Sequence, residues 1–334
     1  MENLDVAVLR ALRNWRADGR HAVLVTVVHT WGSSPRPPGS IMAMAQGGQV
    51  VGSVSGGCIE DDLLFRYAQA WSGQRYDALA PPPRVRYGVS ADEAHRFGLP
   101  CGGTVELVLE HDPDAALLYD LVERLEAGAL VRRELSLGDG RVQLCTTGAP
   151  QELRLDGTHL INTFGPEYRL LLIGAGQLSQ CLAGMALPCG FAVTVCDPRT
   201  EYHGDARLPG VTVVKDMPDD AVRAFRADVR TAIVALTHDP KLDDLALLEA
   251  LEGPAFYVGA IGSRRNNQAR RERLIEHFGQ TPASLARLRG PIGLYVGSKT
   301  PSEIAVSVIA EILATKNGVV LPAAMDVRIA KDMA

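Results

Sequence analysis

A glycine turn, Gly174-Ala-Gly176-Gln177-Leu178-Ser179, lies between an apolar run and a helical pattern. The first glycine permits a sharp turn and the second lets backbone approach a diphosphate. Serine takes the third glycine position, where only close helix–strand packing is required. Phosphate oxygens would then meet the exposed N–H groups of a helix N-terminus. Asp197 follows 23 positions after Gly174, at the end of the next apolar run, where a carboxylate can accept from ribose hydroxyls. Arg199 keeps a second option open, because an arginine beside that acid suits a 2′-phosphate. The alternative is a domain that keeps this fold without the ligand.

Three more polar turns follow apolar runs: Thr237-His238-Asp239, Gly259-Ala-Ile-Gly262-Ser263-Arg264-Arg265, and Gly297-Ser298-Lys299-Thr300. Each alone reads as a helix cap with surface charge. Together, at one edge of an open parallel sheet, they would surround a ligand crevice. His238 with Asp239 could do acid–base work or hold a metal, but a capping Thr-His-Asp turn is the simpler reading. No set of metal ligands is assigned.

The first half carries a rigid loop, Gly32-Ser33-Ser34-Pro-Arg36-Pro-Pro-Gly-Ser40. Its prolines restrict the backbone, so hydroxyls and an arginine held there could take a phosphate or an anionic ring at small entropic cost. An ordinary rigid connection explains it equally well. Ser55-Gly-Gly57-Cys58-Ile-Glu60 places Cys58 at a predicted helix N-terminus, where the dipole favours a thiolate. Cys58 and Cys101 could contact a ligand or sulfur, or simply fill space. Cys181 and Cys189 read as core on one helix. Glu60, Asp61 and Asp62 read as first-turn acids.

The elements that must position these residues differ between the halves. Residues 4–17 show a helical stripe, 21–29 a buried strand, and 41–45 with 50–54 a hairpin. A helix is expected over 59–71, strands at 85–87 and 104–110, a helix near 114–127, and short strands over 130–162. This is a small α+β domain over 1–150, followed by a linker at 146–168. From residue 168 to 334 strand and helix alternate: strands at 170–174, 192–197, 211–214, 231–236, 256–258 and 293–296. Helices are expected at 178–187, 221–225, 242–251, 264–278 and 301–314. Alternation of this kind makes a Rossmann-type parallel sheet covered on both faces, so the fold class is α/β.

The chain has 334 residues, 46% hydrophobic and 22% charged, with net charge −5. That balance argues against a nucleic-acid surface, and no apolar run is long enough to span a bilayer. The six cysteines form no CxxC pair. With acids where a signal peptide would carry basic residues, a cytoplasmic protein with free thiols is expected.

Across nearly its whole length the sequence resembles the XdhC/CoxI family, the accessory proteins of xanthine dehydrogenase and related molybdenum hydroxylases. In the first half the resemblance rests on the motifs at 30–40, 52–60 and 98–106. In the second it rests on Gly-Ala-Gly-Gln (174–177), Cys-Asp-Pro-Arg (196–199), Thr-His-Asp-Pro-Lys (237–241), Gly-Ala-Ile-Gly-Ser-Arg-Arg (259–265) and Lys-Thr-Pro-Ser-Glu-Ile-Ala-Val (299–306). The Ser-Ser-Pro-Arg-Pro-Pro-Gly-Ser form is most similar to members serving aldehyde oxidoreductases. The resemblance implies a non-catalytic chaperone that binds molybdenum cofactor, protects its sulfurated form and inserts it into an apo molybdenum hydroxylase. It also implies a cysteine desulfurase partner and, for the aldehyde-oxidoreductase branch, the cytosine dinucleotide form of molybdopterin. Gly174, Gly176 and Asp197 would then hold the nucleotide half, with Gln177, Arg199, His238, Gly262, Ser263 and Arg264 as further cofactor-binding candidates. Ser33, Ser34, Arg36, Gly57 and Cys58 would face the metal-bearing pterin, and Cys101 is a further cofactor-binding candidate. A homodimer fits the apolar second domain. Two other classes stay open: an NAD(P)-dependent oxidoreductase using the Rossmann domain, and a thiol enzyme that sulfurates the cofactor through Cys58.

Overall fold

The β-branched and apolar runs of the second half can be buried only as strands covered on both faces. In the computed structural model, which describes residues 4–32, 36–72, 84–88, 103–202 and 209–330, this is how they fold. Contacts divide the chain between Gly165 and Pro166 into two units.

The first unit begins with helix α1 (Leu4–Ala17), then strands β1 (Ala22–Trp31), β2 (Ile41–Ala45) and β3 (Gln49–Gly52), and helix α2 (Cys58–Ser72). Strands β4 (Arg84–Tyr87) and β5 (Thr104–His111) complete an antiparallel sheet in the order β3-β2-β1-β5-β4. Strand alternation divides its side chains between two cores. Val23, Val25, Val27, Leu107 and Leu109 pack against Ile59 and Leu63 of α2. Leu24, Ile41 and Ala43 pack against Leu9 and Leu12 of α1 and against Leu121 of helix α3 (Ala115–Glu126).

One extra residue in β1 breaks this alternation. The register steps from Val27↔Leu107 to His29↔Glu106, leaving Val28 as a bulge. A bulge of this kind turns the rest of the strand to the other face. Trp31 therefore pairs with Thr104, its ring stacked on His29 at 4.4 Å and reached by the Arg86 guanidinium at 5.2 Å.

Residues 146–168, expected as a linker, are mostly structured. They contain the end of β7 (Val142–Thr146), β8 (Arg154–Leu155) and β9 (His159–Phe164), which join β6 (Val131–Ser136) in a four-stranded sheet. The short strands expected over 130–162 thus extend through most of the span expected as linker. The buried Arg133–Glu110 pair, 2.6 Å to each carboxylate oxygen, joins β6 to β5.

In the second unit, strands β10 (Tyr168–Ile173), β11 (Phe191–Cys196), β12 (Val211–Val214), β13 (Thr231–Ala235), β14 (Tyr257–Ala260) and β15 (Leu288–Arg289) are parallel. Their order, β12-β11-β10-β13-β14-β15, is that of a Rossmann sheet with its switch point between β10 and β13. Helices α4 (Gln177–Ala186) and α8 (Pro301–Lys316) cover one face. Helices α5 (Pro218–Phe225), α6 (Pro240–Glu252) and α7 (Arg264–Phe278) cover the other.

Two expectations are corrected here. The sixth strand is Leu288–Arg289, not 293–296; Gly293 N–H donates to the Glu311 carboxylate at 2.7 Å and Leu294 N–H to the Ser307 carbonyl, both on α8, while Tyr295 N–H donates to the Met325 carbonyl, so this stretch bonds outside the sheet. Cys189 lies on a 3-10 turn, Leu187–Cys189, beyond the end of α4, because Pro188 removes an N–H needed to continue the helix. Both Cys181 and Cys189 pack on the core as expected, and the described cysteines are free thiols.

At Gly52, where β3 leaves the sheet, φ is +87° and an added Cβ would lie 2.5 Å from the Ile41 carbonyl oxygen. Gly48 has nearly the same φ, +83°, but open space. We expect Gly52→Ala to lose about 2–3 kcal/mol of unfolding free energy in urea and Gly48→Ala about 1 kcal/mol. Equal losses would mean that backbone strain alone sets the cost.

Candidate functional site

Parallel register places the second unit's glycine and polar turns at one level. Cys196, Ile173, Ala235 and Ala260 are aligned across β11, β10, β13 and β14. The chain continues from that row into Asp197, Gly174, Leu236 and Ile261. The sequence-predicted residues Gly174, Gly176, Gln177, Asp197, Arg199, His238, Gly262, Ser263 and Arg264 therefore all leave the same sheet edge.

The two glycines of the turn do different work. At Gly174 φ is +106°, and a Cβ would lie 3.0 Å from Thr237 Cγ2 and 3.3 Å from Thr237 N. This glycine lets β10 and β13 turn off side by side. Gly176 caps α4 in extended conformation, with nothing within 4 Å of an added Cβ. It faces open space, with the first-turn N–H groups of α4 just behind it; such groups have no intrahelical acceptor. Ser179, at the third glycine position, is buried and donates to the Gly174 carbonyl at 2.5 Å. The hydroxyl thus ties helix to strand where a glycine would only allow them close.

Asp197 does not match its expectation as a ribose acceptor. Its carboxylate is fully buried. Oδ1 accepts from the Arg199 backbone N–H at 3.0 Å and Nε at 2.9 Å; Oδ2 accepts from Ala175 N–H and Arg199 Nη2, both at 2.9 Å. Burial alone would raise its pKa, but these bonds and the guanidinium charge outweigh it and hold the carboxyl below its ordinary range. The acid locks the glycine turn instead of facing the crevice.

On the other side of the switch point, Thr237 N–H and Oγ1 donate to Asp243 Oδ1 at 3.1 and 2.6 Å. Asp239 caps α6 through Lys241 N–H at 2.9 Å, so the capping reading of this turn is met. His238 is exposed at the crevice edge with φ +62°, a left-handed conformation unusual for a non-glycine residue. Ser263 caps α7 through Asn266 N–H, and Gly262 turns at φ +134° against Asn267. Arg264 opens α7 half-buried. The Lys299–Thr300 turn is a helix cap: Thr300 and Glu303 form a capping box on α8.

A buried network beneath these turns was not evident from sequence. Arg270 donates to Asp244 Oδ1 at 3.0 Å, Asp243 Oδ2 at 3.1 Å, Asn267 Oδ1 at 2.9 Å and the Ile261 carbonyl at 3.2 Å. Arg273 adds a fork to Asp244 Oδ2 at 3.0 and 2.8 Å. Through Asp243 and Ile261 the network holds the turns that follow β13 and β14. Burial pushes the Asp243 carboxyl upward, against its bonds from Thr237 and the charge of Arg270. Removing Arg270 takes the arginine from buried Asp243 and leaves Asp244 with Arg273 alone, so Arg270→Ala should cost about 3–5 kcal/mol in chemical denaturation. A loss below about 1 kcal/mol would refute this accounting.

In the first unit, register again gathers loops at one sheet end. Gly52 pairs with Met42 at the start of β2, Trp31 with Thr104, and Tyr87 with Val105. The segments after β1, β3 and β4, and before β2 and β5, therefore leave from the same end. Arg36 is half-buried in the first of these. Ser33, Ser34 and Cys101 lie outside the described residues. Gly57 and Cys58 are exposed, with Gly56 and Gly57 at φ +100° and +150° and open space at each Cβ position.

Glu60 is more than the first-turn acid expected. It is buried, and the turn wraps its carboxylate. Oε1 accepts from Ser53 Oγ and from the N–H groups of Val54, Ser55 and Gly56 at 2.7–3.1 Å; Oε2 accepts from Gly57 N–H at 2.9 Å and from Ser55 Oγ. Burial opposes ionisation, but the donors from Ser55, Ser53 and the backbone win and hold its pKa far below the usual glutamate range. A depressed folded-state pKa gives stability that is present above the unfolded value and lost as pH falls through and below it. Glu60→Gln should cost about 2–3 kcal/mol at neutral pH, and its gap from wild type should narrow on acidification. A gap independent of pH in denaturation curves would show that charge is not the cause.

Among the described residues, no group of three or more His, Cys, Asp or Glu side chains could hold a metal ion. No helix among them is long and apolar enough to cross a membrane.

This pairing of a Rossmann unit with an α+β unit has close counterparts. The family model described as the XdhC and CoxI family matches residues 15–88, and that described as the XdhC Rossmann domain matches residues 170–312. The chain belongs to the XdhC/CoxI family. It is 28% identical over 328 residues to a probable xanthine dehydrogenase subunit from Bacillus subtilis (strain 168), covering 90% of this chain and 95% of that protein. It is 27% identical over 298 residues to the molybdenum cofactor insertion chaperone PaoD of Escherichia coli (strain K12), covering 89% and 84%. In fold it is similar to the crystal structure of a xanthine dehydrogenase from Bacillus halodurans, with a TM-score of 0.72 and 24% identity over 97% of this chain and 98% of that one.

Proposed function

We propose that this protein is a chaperone that binds molybdenum cofactor as cargo and inserts it into a molybdenum hydroxylase. The observation that carries the proposal is Gly176: an extended backbone position at the α4 N-terminus, open where a side chain would stand. Backbone in this state can approach a diphosphate closely, and the first-turn N–H groups supply its donors. The similarity to a molybdenum cofactor insertion chaperone supports the choice of cargo. A diphosphate is present in the cytosine dinucleotide form, and we take that form to be the preferred one.

In this reading Gly174 and Ser179 shape the turn, Gly176 and Gln177 meet the diphosphate, and Gly262, Ser263, Arg264 and His238 line the opposite side of the crevice. In the first unit, Arg36 and the Gly57–Cys58 turn are proposed as cofactor-contacting residues of that unit. The partners are an apo molybdenum hydroxylase, which receives the cofactor, and a cysteine desulfurase, which supplies its sulfur. The chain's own residues bind, orient and shield the cargo; none is assigned a bond-making step.

The test is retention of cofactor through gel filtration under anaerobic conditions. Molybdopterin and its cytosine dinucleotide are offered separately, with NAD+ in parallel, and pterin and molybdenum are counted per chain. We expect close to one cytosine dinucleotide per chain, lost in Gly176→Asp, which puts a side chain and a negative charge at the diphosphate position. Retention of NAD+ without cofactor would overturn the proposal in favour of an NAD(P)-dependent oxidoreductase.

A further inference from the structure

We infer that Glu106, in the first unit, recognises a pterin by accepting the paired N–H groups of its aminopyrimidine edge. The inference deepens the cargo reading above and rests on it for the class of ligand.

Glu106 departs from the pattern of the other buried acids. Its side chain keeps only 7% of its surface exposed, yet its donors are distant. Arg86 Nη2 lies 3.5 Å from Oε2; Arg86 Nε and Arg84 Nε lie 3.4 and 3.9 Å from Oε1. Among the described residues this carboxylate has no other bond or ion pair. By contrast, Arg133 reaches Glu110 at 2.6 Å, and Glu311 accepts from Tyr257, Gly293 and Arg289 at 2.7–3.0 Å. A buried acid whose acceptor sites are poorly filled is unfavourable, and a ligand carrying donors would complete it.

Register sets what surrounds it. His29 and Arg86 lie directly opposite Glu106 on β1 and β4, and Trp31 lies opposite Thr104, two positions along β5. Opposed residues share a face, so carboxylate, imidazole, guanidinium and indole stand together at the loop end of the sheet. The indole is 40% exposed and the Arg86 side chain 58%. The Arg86 guanidinium lies 5.2 Å from the indole centroid while also donating to Glu106. It is thus a planar group with adjacent N–H donors over an aromatic ring, which is the outline of an aminopyrimidine edge. A pterin taking its place would donate its 2-amino and N3 hydrogens to the two carboxylate oxygens and rest on the indole. A cytosine edge sets one donor beside an acceptor, which the carboxylate repels. Two neighbouring arginines disfavour a metal cation.

The distinguishing probes are pterin and lumazine, which differ in an amino against an oxo group at C2, titrated into the full-length protein by pteridine fluorescence. We expect pterin to bind at least about tenfold more tightly, because the oxo oxygen of lumazine would confront the carboxylate. Glu106→Gln should remove that preference. Arg86→Ala, which clears the group the ring replaces, should bind pterin no more weakly than wild type. The urea midpoint of Glu106→Gln should equal or exceed that of wild type, since a poorly served buried charge is lost. No pterin binding, a preference that survives Glu106→Gln, weaker pterin binding by Arg86→Ala, or a marked fall in the Glu106→Gln midpoint overturns the inference. CDP titrated in parallel reports on the crevice of the other unit: its failure to bind would sink the diphosphate reading and leave the pterin-to-lumazine ratio untouched.

Discussion

A carboxylate taken out of water must be surrounded by donors, and this fold builds its functional loops around that demand. Asp197, Glu60, Asp243 and Asp244 are all buried, and each gathers backbone N–H groups, hydroxyls or arginines into a small shell. The cost of an unpaired buried charge far exceeds the worth of any single hydrogen bond. The surrounding chain is therefore fixed in the one shape that satisfies it. The glycine turn after β10, the polar turns after β13 and β14, and the Ser53–Gly57 turn are held in this way. Loops on a Rossmann edge or a sheet end would otherwise be the least constrained parts of the molecule.

The division of labour between scaffold and site follows. Parallel strands bring the turns to one row, but register alone would leave them loosely aimed. The buried acids supply the aim. In the second unit, Arg270 links two turns that are separated in sequence by more than twenty residues, so they respond together to a change in either. In the first, the Glu60 carboxylate occupies amides that would otherwise form an anion-binding nest. That turn accordingly offers its open glycines and Cys58 outward while its donors stay inside.

Local patterns made much of this legible. The alternation of strands and helices, the glycine turn and the capping residues are each decided within about ten positions, and they appear where the sequence placed them. What was missed depended on the direction of a side chain or on distance along the chain. Glu60 in a first turn reads the same whether its carboxylate points to solvent or folds back over Ser55. Arg199 could equally have accompanied an exposed acid; the fork onto Asp197 is a rotamer choice that spacing does not reveal. Arg270 meets Asp243 and Asp244 across 27 and 26 positions, beyond any periodic signal. The strand expected at 293–296 failed because its backbone donors found tertiary partners, Glu311 and Ser307 of α8 and Met325.

The bulge in β1 carries a consequence for how this strand can change over evolutionary time. Beyond Val28 the faces of His29, Thr30 and Trp31 are set by parity: one added residue has exchanged inside for outside. Deleting the bulged Val28 would make the strand regular and leave His29 opposite Glu106 and Trp31 opposite Thr104, on the face they already occupy. Removing a second residue would move the pairing by one position and turn the indole towards the core that Val105 and Leu107 fill. Length variation in this segment should therefore be limited to the loss of the one bulged residue, a discrete rule imposed by the pleat on a loop-bearing strand whose composition alone would suggest no such restriction.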